Sequence, residues 1–352
     1  MKKALLFSPY LDTVGGGEYY LFSLAKLLLN NNYEVTVAWK DNKPVKWAKD
    51  RFGLDIKKII FDKKAYGLFI SKGKFWQKFL LQKNFDLFFF LSDGSVPFIF
   101  SKNNILHFQV PFSGLRESGL TRLKIKQINK IVVNSEFTKK IIDRQLKVKS
   151  QVIYPPVEVH KNIFKKEKII LSVGRFDEKL NSKRHDVLIK AFKKLADGGV
   201  KGWSLILAGG AKDIRQKELL KKQIGNYNIK LKINLKRDAL EKLYQRASIY
   251  WHAAGFEINE EINPERVEHF GITVVEARSF GCIPIVIKKG GIKEIVKNGK
   301  NGYLWERESE LVEFTKKVIN DKKLAARLSE QSRKNLDVFS FKEFDEKFKQ
   351  II

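Results

Sequence analysis

The stretch EHFGITVVEA, residues 268–277, sets Glu268 and Glu276 eight positions apart around a glycine. Carboxylates accept hydrogen bonds, so a pair of them suits a ligand that presents hydroxyl groups. Gly271 starts a helix candidate over 272–280, and Gly281 ends it. Glu268 then lies in the loop ahead of the helix and Glu276 in its second turn. The first N–H groups of such a helix, with the positive end of its dipole, favour an anion such as a diphosphate. Together these features suit a charged, hydroxyl-rich ligand.

Cations that could meet such an anion occur upstream. In SVGRFDEKLNSKRHDVLIKAF, residues 172–192, Arg175 follows a strand candidate and Lys183 precedes a helix candidate, so both fall in one strand-end region. Two fixed cations there could stabilise charge on a departing diphosphate; the bland alternative is a pair of solvated surface cations. Gly15, Gly16 and Gly17 lie between a first strand and a first helix, where backbone N–H groups can approach a phosphate. The dinucleotide fingerprint would want glycine where Tyr20 stands, and the Gly-Lys-Ser/Thr of a P-loop is absent. His107, after the apolar run ILHF, could hydrogen-bond a ligand, and the pair Gly290 and Gly291 precedes Glu294 at another strand end. Asp-x-Asp, His-Glu-x-x-His and Cys-x-x-Cys are all absent, so no metal is expected.

These residues need a scaffold. The first strand, glycine loop, apolar helix and second strand over 2–39 form a βαβ unit. Strand candidates at 86–91, 105–108, 130–134 and 151–154 follow, with a helix at 136–146. YPPVEVHKNIFKKEK breaks the pattern, and a second series begins. It comprises strands at 168–173, 204–208, 229–233, 249–252 and 283–287 and helices at 186–197, 213–222, 238–246 and 272–280. The alternation predicts two doubly wound α/β domains facing across a cleft, over 1–160 and 161–337. At 352 residues with 43% hydrophobic content the chain supports two cores. One cysteine, Cys282, excludes a disulfide framework and fits a reducing compartment. The apolar start is too short for a signal peptide, and DLFFFLSDGSVPFIF is interrupted well before the roughly 20 residues of a spanning helix. A cytoplasmic protein without a transmembrane segment is expected. The net charge of +29, spread over both halves, has two readings: anionic partners such as phosphorylated ligands, lipid or nucleic acid, or simply a lysine-rich genome.

In order, GGGE at 15–18, VVNSEFTKK at 132–140, VIYPPV at 152–157, the 172–192 stretch, LILAGG at 205–210, the 268–286 segment and GGIKEIVKNGKNGYLW at 290–305 resemble the retaining glycosyltransferases of family 4, with the GT-B fold. The resemblance implies a nucleotide-diphosphate sugar held mainly by the C-terminal domain and an acceptor held mainly by the N-terminal one. It gives Arg175 and Lys183 to the diphosphate, Glu276 to the ribose and Glu268 to the transferred sugar. It sets His107 facing the sugar ring and places Phe270, Gly271, Ile272, Gly290 and Gly291 around sugar and phosphates. Arg175, Lys183, Glu268 and His107 form its catalytic set. The anomeric configuration is kept by front-face departure and attack. No cofactor or metal is implied beyond the nucleotide sugar itself. The last helix, within 338–352, resembles one that crosses back to the N-terminal domain.

EHFG after GGGE looks most like the α-1,2-mannosyltransferases that extend lipid-linked oligosaccharides, which favours GDP-mannose over a UDP-sugar and a glycan or lipid-linked acceptor. The segment FEINEEINPERV, 256–267, is an insertion in that pattern. Between residues 43 and 83, 12 Lys or Arg stand against 3 Asp, interleaved with aromatic residues. KGKFWQKFLLQK reads as an interfacial helix, with Phe75, Trp76, Phe79 and Leu80 near one face and Lys72, Lys74, Lys78 and Lys83 around it; the bland alternative is a core-facing helix whose lysines are merely solvated. An anionic membrane surface at the inner face of the membrane is therefore an expected peripheral partner. The competing reading is a basic nucleic-acid or anionic-polymer binding protein on the same scaffold. It rests on charge alone, since no nucleic-acid module is recognised.

Overall fold

The computed structural model describes residues 1–176, 183–211 and 214–352, the side chains of 214–217 excepted. Asp213, the expected first residue of one helix, and residues 177–182 of the 172–192 motif lie outside the described residues. The chain divides into two compact units, Met1–Pro156 with Phe341–Ile352, and Val157–Ser340. The division falls ahead of the expected residue 160, and the chain re-enters the first unit at Phe341 rather than at 338.

Unit 1 runs β1 (Lys2–Phe7), α1 (Gly16–Asn30), β2 (Tyr33–Ala38), α2 (Lys43–Trp47), β3 (Ile60–Phe61), α3 (Lys63–Ile70), α4 (Phe75–Lys83) and β4 (Leu87–Ser92). It continues through β5 (Asn103–Phe108), α5 (Gly119–Ile125), β6 (Lys130–Val133), α6 (Glu136–Leu146) and β7 (Gln151–Val152). Among the described residues its strands pair in parallel in the order β3-β2-β1-β4-β5-β6-β7. Parallel strands covered on both faces must be apolar throughout, and LFFFLS in β4 is buried at every position. Alternate residues feed two cores. Ala4, Leu6, Phe89 and Leu91 face α1, while Leu5, Phe7, Phe88 and Phe90 share the opposite core with Ile142 and Leu146 of α6. Ser135 caps α6 by accepting from the Thr138 N–H at 3.0 Å.

Unit 2 runs β8 (Glu167–Val173), α7 (His185–Asp197), β9 (Ser204–Gly209), α8 (Ile214–Ile224), β10 (Ile229–Ile233), α9 (Arg237–Arg246), β11 (Ala247–His252) and α10 (Ile272–Ser279). Next come β12 (Ile283–Ile287), α11 (Ile292–Ile295), β13 (Tyr303–Trp305), α12 (Glu308–Asn320) and α13 (Lys322–Ser332), and α14 (Phe341–Lys349) returns to unit 1. The strand order β10-β9-β8-β11-β12-β13, again parallel, repeats that of unit 1. Both units are Rossmann-like, as the alternation predicted. In each the chain reverses its direction of sheet-building between neighbouring strands: β1 and β4 in unit 1, β8 and β11 in unit 2. Ligands of open α/β sheets bind at the carboxyl ends of such a strand pair.

α14 closes the core of unit 1. Its Phe344 and Phe348, four apart on one helical face, set their rings 5.2 and 6.1 Å from that of Tyr20 in α1.

Candidate functional site

The reversal point of unit 2 gathers the expected chemistry. Arg175 is exposed just past the end of β8, and His252 ends β11 beside it. The stem of Lys183 lies over Gly174, where an added Cβ would come within 2.8 Å of the Lys183 Cγ. Lys183 Nζ donates to Glu268 Oε2 at 2.5 Å, and His252 Nε2 meets the same oxygen at 3.0 Å. Burial alone would raise the Glu268 pKa, yet Lys183 and His252 hold it well below the usual carboxylate range. His252 is pushed down, first by burial and then, against the pull of Glu268, by the Lys183 charge. A neutral imidazole facing an ionised carboxylate must carry its proton on Nε2. Among the described residues both donors fall on Oε2 of Glu268 rather than on Oε1.

Glu276 lies one helix deeper, with its side chain 8% exposed. Arg237 of α9 donates to its Oε1, and the Tyr244 hydroxyl donates to Oε2 at 2.9 Å. Burial opposes the Arg237 charge, but Glu276 and Glu241 raise its pKa above the usual value. Tyr250, two residues before His252 on β11, ties that strand to the first turn of α10 through its hydroxyl, 2.8 Å from Thr273 Oγ1. α10 starts at Gly271, whose φ of +112° lies in the left-handed region. Its first amides have no partner within the helix, and along the chain they fall between Glu268 and Glu276. Lys183 with Glu268, and Glu276 on α10, thus belong to one region.

Gly290 and Gly291 work by backbone contact. A Cβ on Gly290 would fall 2.0 Å from the Glu268 carbonyl oxygen, and one on Gly291 2.2 Å from that of His269. The Gly291 N–H donates to the Glu268 carbonyl at 3.0 Å. The pair therefore props the loop that carries Glu268. The insertion 256–267 is pinned to the same loop system. Arg184 donates to the Phe256 carbonyl at 2.8 Å, while Glu260 accepts from the Gly290 N–H at 2.6 Å and from Lys293 Nζ at 2.5 Å. The Gly290 amide expected to seat sugar or phosphate is held by Glu260. Phe270 is buried with its ring 5.5 Å from Phe339, so its side chain serves packing, and Ile272 is half-buried at the start of α10.

In unit 1 the expectation for His107 is overturned. The imidazole is fully buried, stacked 4.1 Å from Tyr20 and 5.5 Å from Phe89, with Nε2 on Gln109 Oε1 at 2.8 Å. The ring has no exposed surface and its Nε2 is taken by Gln109, so it is not open to a sugar. Burial lowers its pKa to about 4. Gly15, Gly16 and Gly17 do open α1, but the Gly15 N–H donates to Glu18 Oε2 at 2.9 Å and Thr13 donates to the other oxygen. A phosphate there would compete with Glu18. Among the described residues no three His, Cys, Asp or Glu side chains are grouped to hold a metal ion, and no helix is long and apolar enough to cross a membrane.

Residues 157–335 match the family model for glycosyl transferases group 1. The chain belongs to this family. Residues 14–161 match the model for glycosyltransferase family 4, so the resemblance read from the motifs is borne out. This group 1 chain is 28% identical over 246 residues to the human GDP-Man:Man(3)GlcNAc(2)-PP-Dol alpha-1,2-mannosyltransferase, covering 62% of this chain and 47% of that protein. The protein of the same name from Dictyostelium discoideum is 25% identical, over 57% of this chain and 41% of that one. The chain thus spans about half the length of the curated relatives it matches. Among solved structures, a Rickettsia africae glycosyltransferase superposes with a TM-score of 0.72 at 19% identity, covering 99% of this chain and 97% of the other. Anabaena Alr3699/HepE, solved in complex with UDP-glucose, gives 0.72 at 16%, covering 99% of both. These likenesses place the group 1 chain in the GT-B fold.

His252, Arg237 and Tyr244 were not among the residues singled out in the sequence. His252 carried one signal, its place at the end of the apolar strand IYWH, which it shares with His107.

Proposed function

We propose that the protein is a retaining hexosyltransferase that moves a sugar, mannose from GDP-mannose in the favoured case and a UDP-sugar in the other, to a glycan or lipid-linked acceptor at the cytoplasmic face of a membrane. The observation that carries the reading is the pairing of Lys183 and Glu268 at the carboxyl ends of β8 and β11, next to the start of α10. In this reading Arg175, Lys183 and the first amides of α10 receive the diphosphate, Glu268 Oε1 accepts a sugar hydroxyl, and Glu276, whose oxygens already accept from Arg237 and Tyr244, meets the ribose through a remaining lone pair. The bond from the anomeric carbon to the phosphate oxygen breaks, and the acceptor oxygen bonds to that carbon on the same face. The acceptor proton passes to the departing phosphate. Lys183 and Arg175 stabilise the charge that builds on the leaving group, so no metal is required.

Support comes from the family match and from the names of the relatives, which specify GDP-mannose and lipid-linked acceptors for those proteins. A thermal-shift screen followed by a transfer assay tests it. GDP-mannose should raise the melting temperature, since a ligand that binds only the folded state stabilises it, and GDP release should persist in EDTA. Lys183→Ala should lower kcat more than it raises KM. Stabilisation by no nucleotide sugar would end the reading, and a strict need for Mg²⁺ or Mn²⁺ would remove the proposed role of the cations.

A further inference from the structure

We propose that unit 1 docks on an anionic bilayer through a surface made jointly by α4, residues 98–100 and α5. The proposal rests on the membrane-borne acceptor of the preceding reading and names the surface that would reach it. The sequence pointed to α4 alone. In the structure α4 starts at Phe75, so Lys72 and Lys74 precede the helix, and Phe75 and Phe79 turn partly inward. The Phe75 ring lies 5.7 Å from Phe98 and 5.3 Å from Phe100, and Phe79 lies 5.0 Å from Phe100. Gln82 anchors the inner side of α4, its Oε1 accepting from the Phe100 N–H at 2.9 Å.

Trp76 and Leu80, one turn apart, are left 71% and 63% exposed. On α5, Leu120 and Leu123 are likewise exposed. The two helices belong to one patch, because Lys124 of α5 sets its Nζ 5.2 Å over the Phe98 ring, which is itself packed on Phe75.

The charge around these side chains is mostly positive. Residues 63–85 contain six lysines and no acid, and α5 with the strand after it adds Lys124, Lys126 and Lys130, besides Arg122, which is paired with Glu117. Cations ringing exposed aliphatic and aromatic side chains match an interface of anionic headgroups over acyl chains. A second copy of this chain would bring the same lysines against themselves. Single-stranded nucleic acid would use open ring faces, whereas here Phe75, Phe79, Phe98 and Phe100 pack on one another, and beside Trp76 the protruding groups are Leu80, Leu120 and Leu123, which offer a base little to stack on.

Flotation of the full chain tests the surface. It should float with vesicles of phosphatidylcholine and phosphatidylglycerol, float poorly with phosphatidylcholine alone, and be released by high salt. Trp76→Ser with Leu80→Ser, and separately Leu120→Ser with Leu123→Ser, should each lower the bound fraction about tenfold at unchanged melting temperature. Lys72→Glu, Lys74→Glu and Lys83→Glu together should do the same. Equal binding to neutral vesicles, no flotation, or indifference to either hydrophobic pair would overturn the proposal. A Trp76-dependent dimer, or tighter binding to single-stranded RNA than to vesicles, would overturn it in favour of another occupant. Flotation needs no sugar transfer, so its failure beside intact GDP release would leave the transferase reading standing.

Discussion

Glu268 receives two donors on one oxygen, and they are not equivalent. Lys183 is a flexible cation that a diphosphate would attract, whereas His252 is a buried ring with its side chain only 2% exposed. His252 is the donor able to keep Glu268 oriented when the lysine turns to a ligand. His252→Ala should therefore weaken GDP-mannose binding about tenfold by calorimetry, the value of one hydrogen bond to a charged group, while leaving GDP binding unchanged. His252→Gln, which can place an amide N–H near the lost Nε2, should restore most of it. An equal loss for GDP and GDP-mannose would reduce His252 to a packing residue. Glu276 calls for a different substitution. Removing its carboxylate leaves the Arg237 guanidinium in a site only 16% exposed with Glu241 as its remaining acid, and an unpaired buried charge costs about 3 kcal/mol or more. Glu276→Gln keeps the volume, and Tyr244→Phe removes one hydrogen bond. The latter should cost about 1–2 kcal/mol by urea unfolding, and no change would mean that the hydroxyl reaches solvent instead.

The loops at 256–267 and 288–291 act as one device that fixes the height of the Glu268 loop. Gly290→Ala combines a Cβ 2.0 Å from a carbonyl oxygen with a φ of +56°, and should destabilise unit 2 by about 2–4 kcal/mol through overpacking and backbone strain. A soluble variant with an unchanged melting temperature would show that the loop can move aside freely. Such coupling is not visible in the sequence, because Gly290 and Glu268 are brought together only by the fold. What could be read were the regular elements whose apolar period is clean: α6, β10 and β12 have the bounds that the sequence suggested. β3 and β13 are two and three residues long, too short for a period to show, and α12 and α13 are rich in charge. The candidate site was readable to the same degree. Its glutamates, Lys183 and Arg175 were found by type and strand-end position. The two strand-end histidines could not be told apart, since which face of a parallel strand meets a crossover helix and which meets an open end depends on topology. His107 came to lie under Tyr20 of α1, and His252 under Glu268.

Both units should be sensitive to mild acid. His107 titrates at about 4 and His185 at about 3, each lowered mainly by burial, and His252 is lowered as well. In the unfolded chain these rings titrate near about 6.5. Because the folded values are depressed, the stabilisation is complete above pH of about 6.5 and is lost as pH falls towards the folded values, His107 alone contributing about 3 kcal/mol. The melting temperature should drop between pH 7 and 5, before most carboxylates protonate, and a flat profile there would show that these rings are hydrated in solution. One further consequence follows from the return of α14. Unit 2 is a continuous stretch, whereas unit 1 is split, and its core around Tyr20 and Phe89 is completed by Phe344 and Phe348. During vectorial synthesis on the ribosome the usual order, N-terminal domain first, is therefore held back: the earlier-made unit waits, its aromatic core unsealed, until all of unit 2 has been made and the closing helix has left the exit tunnel.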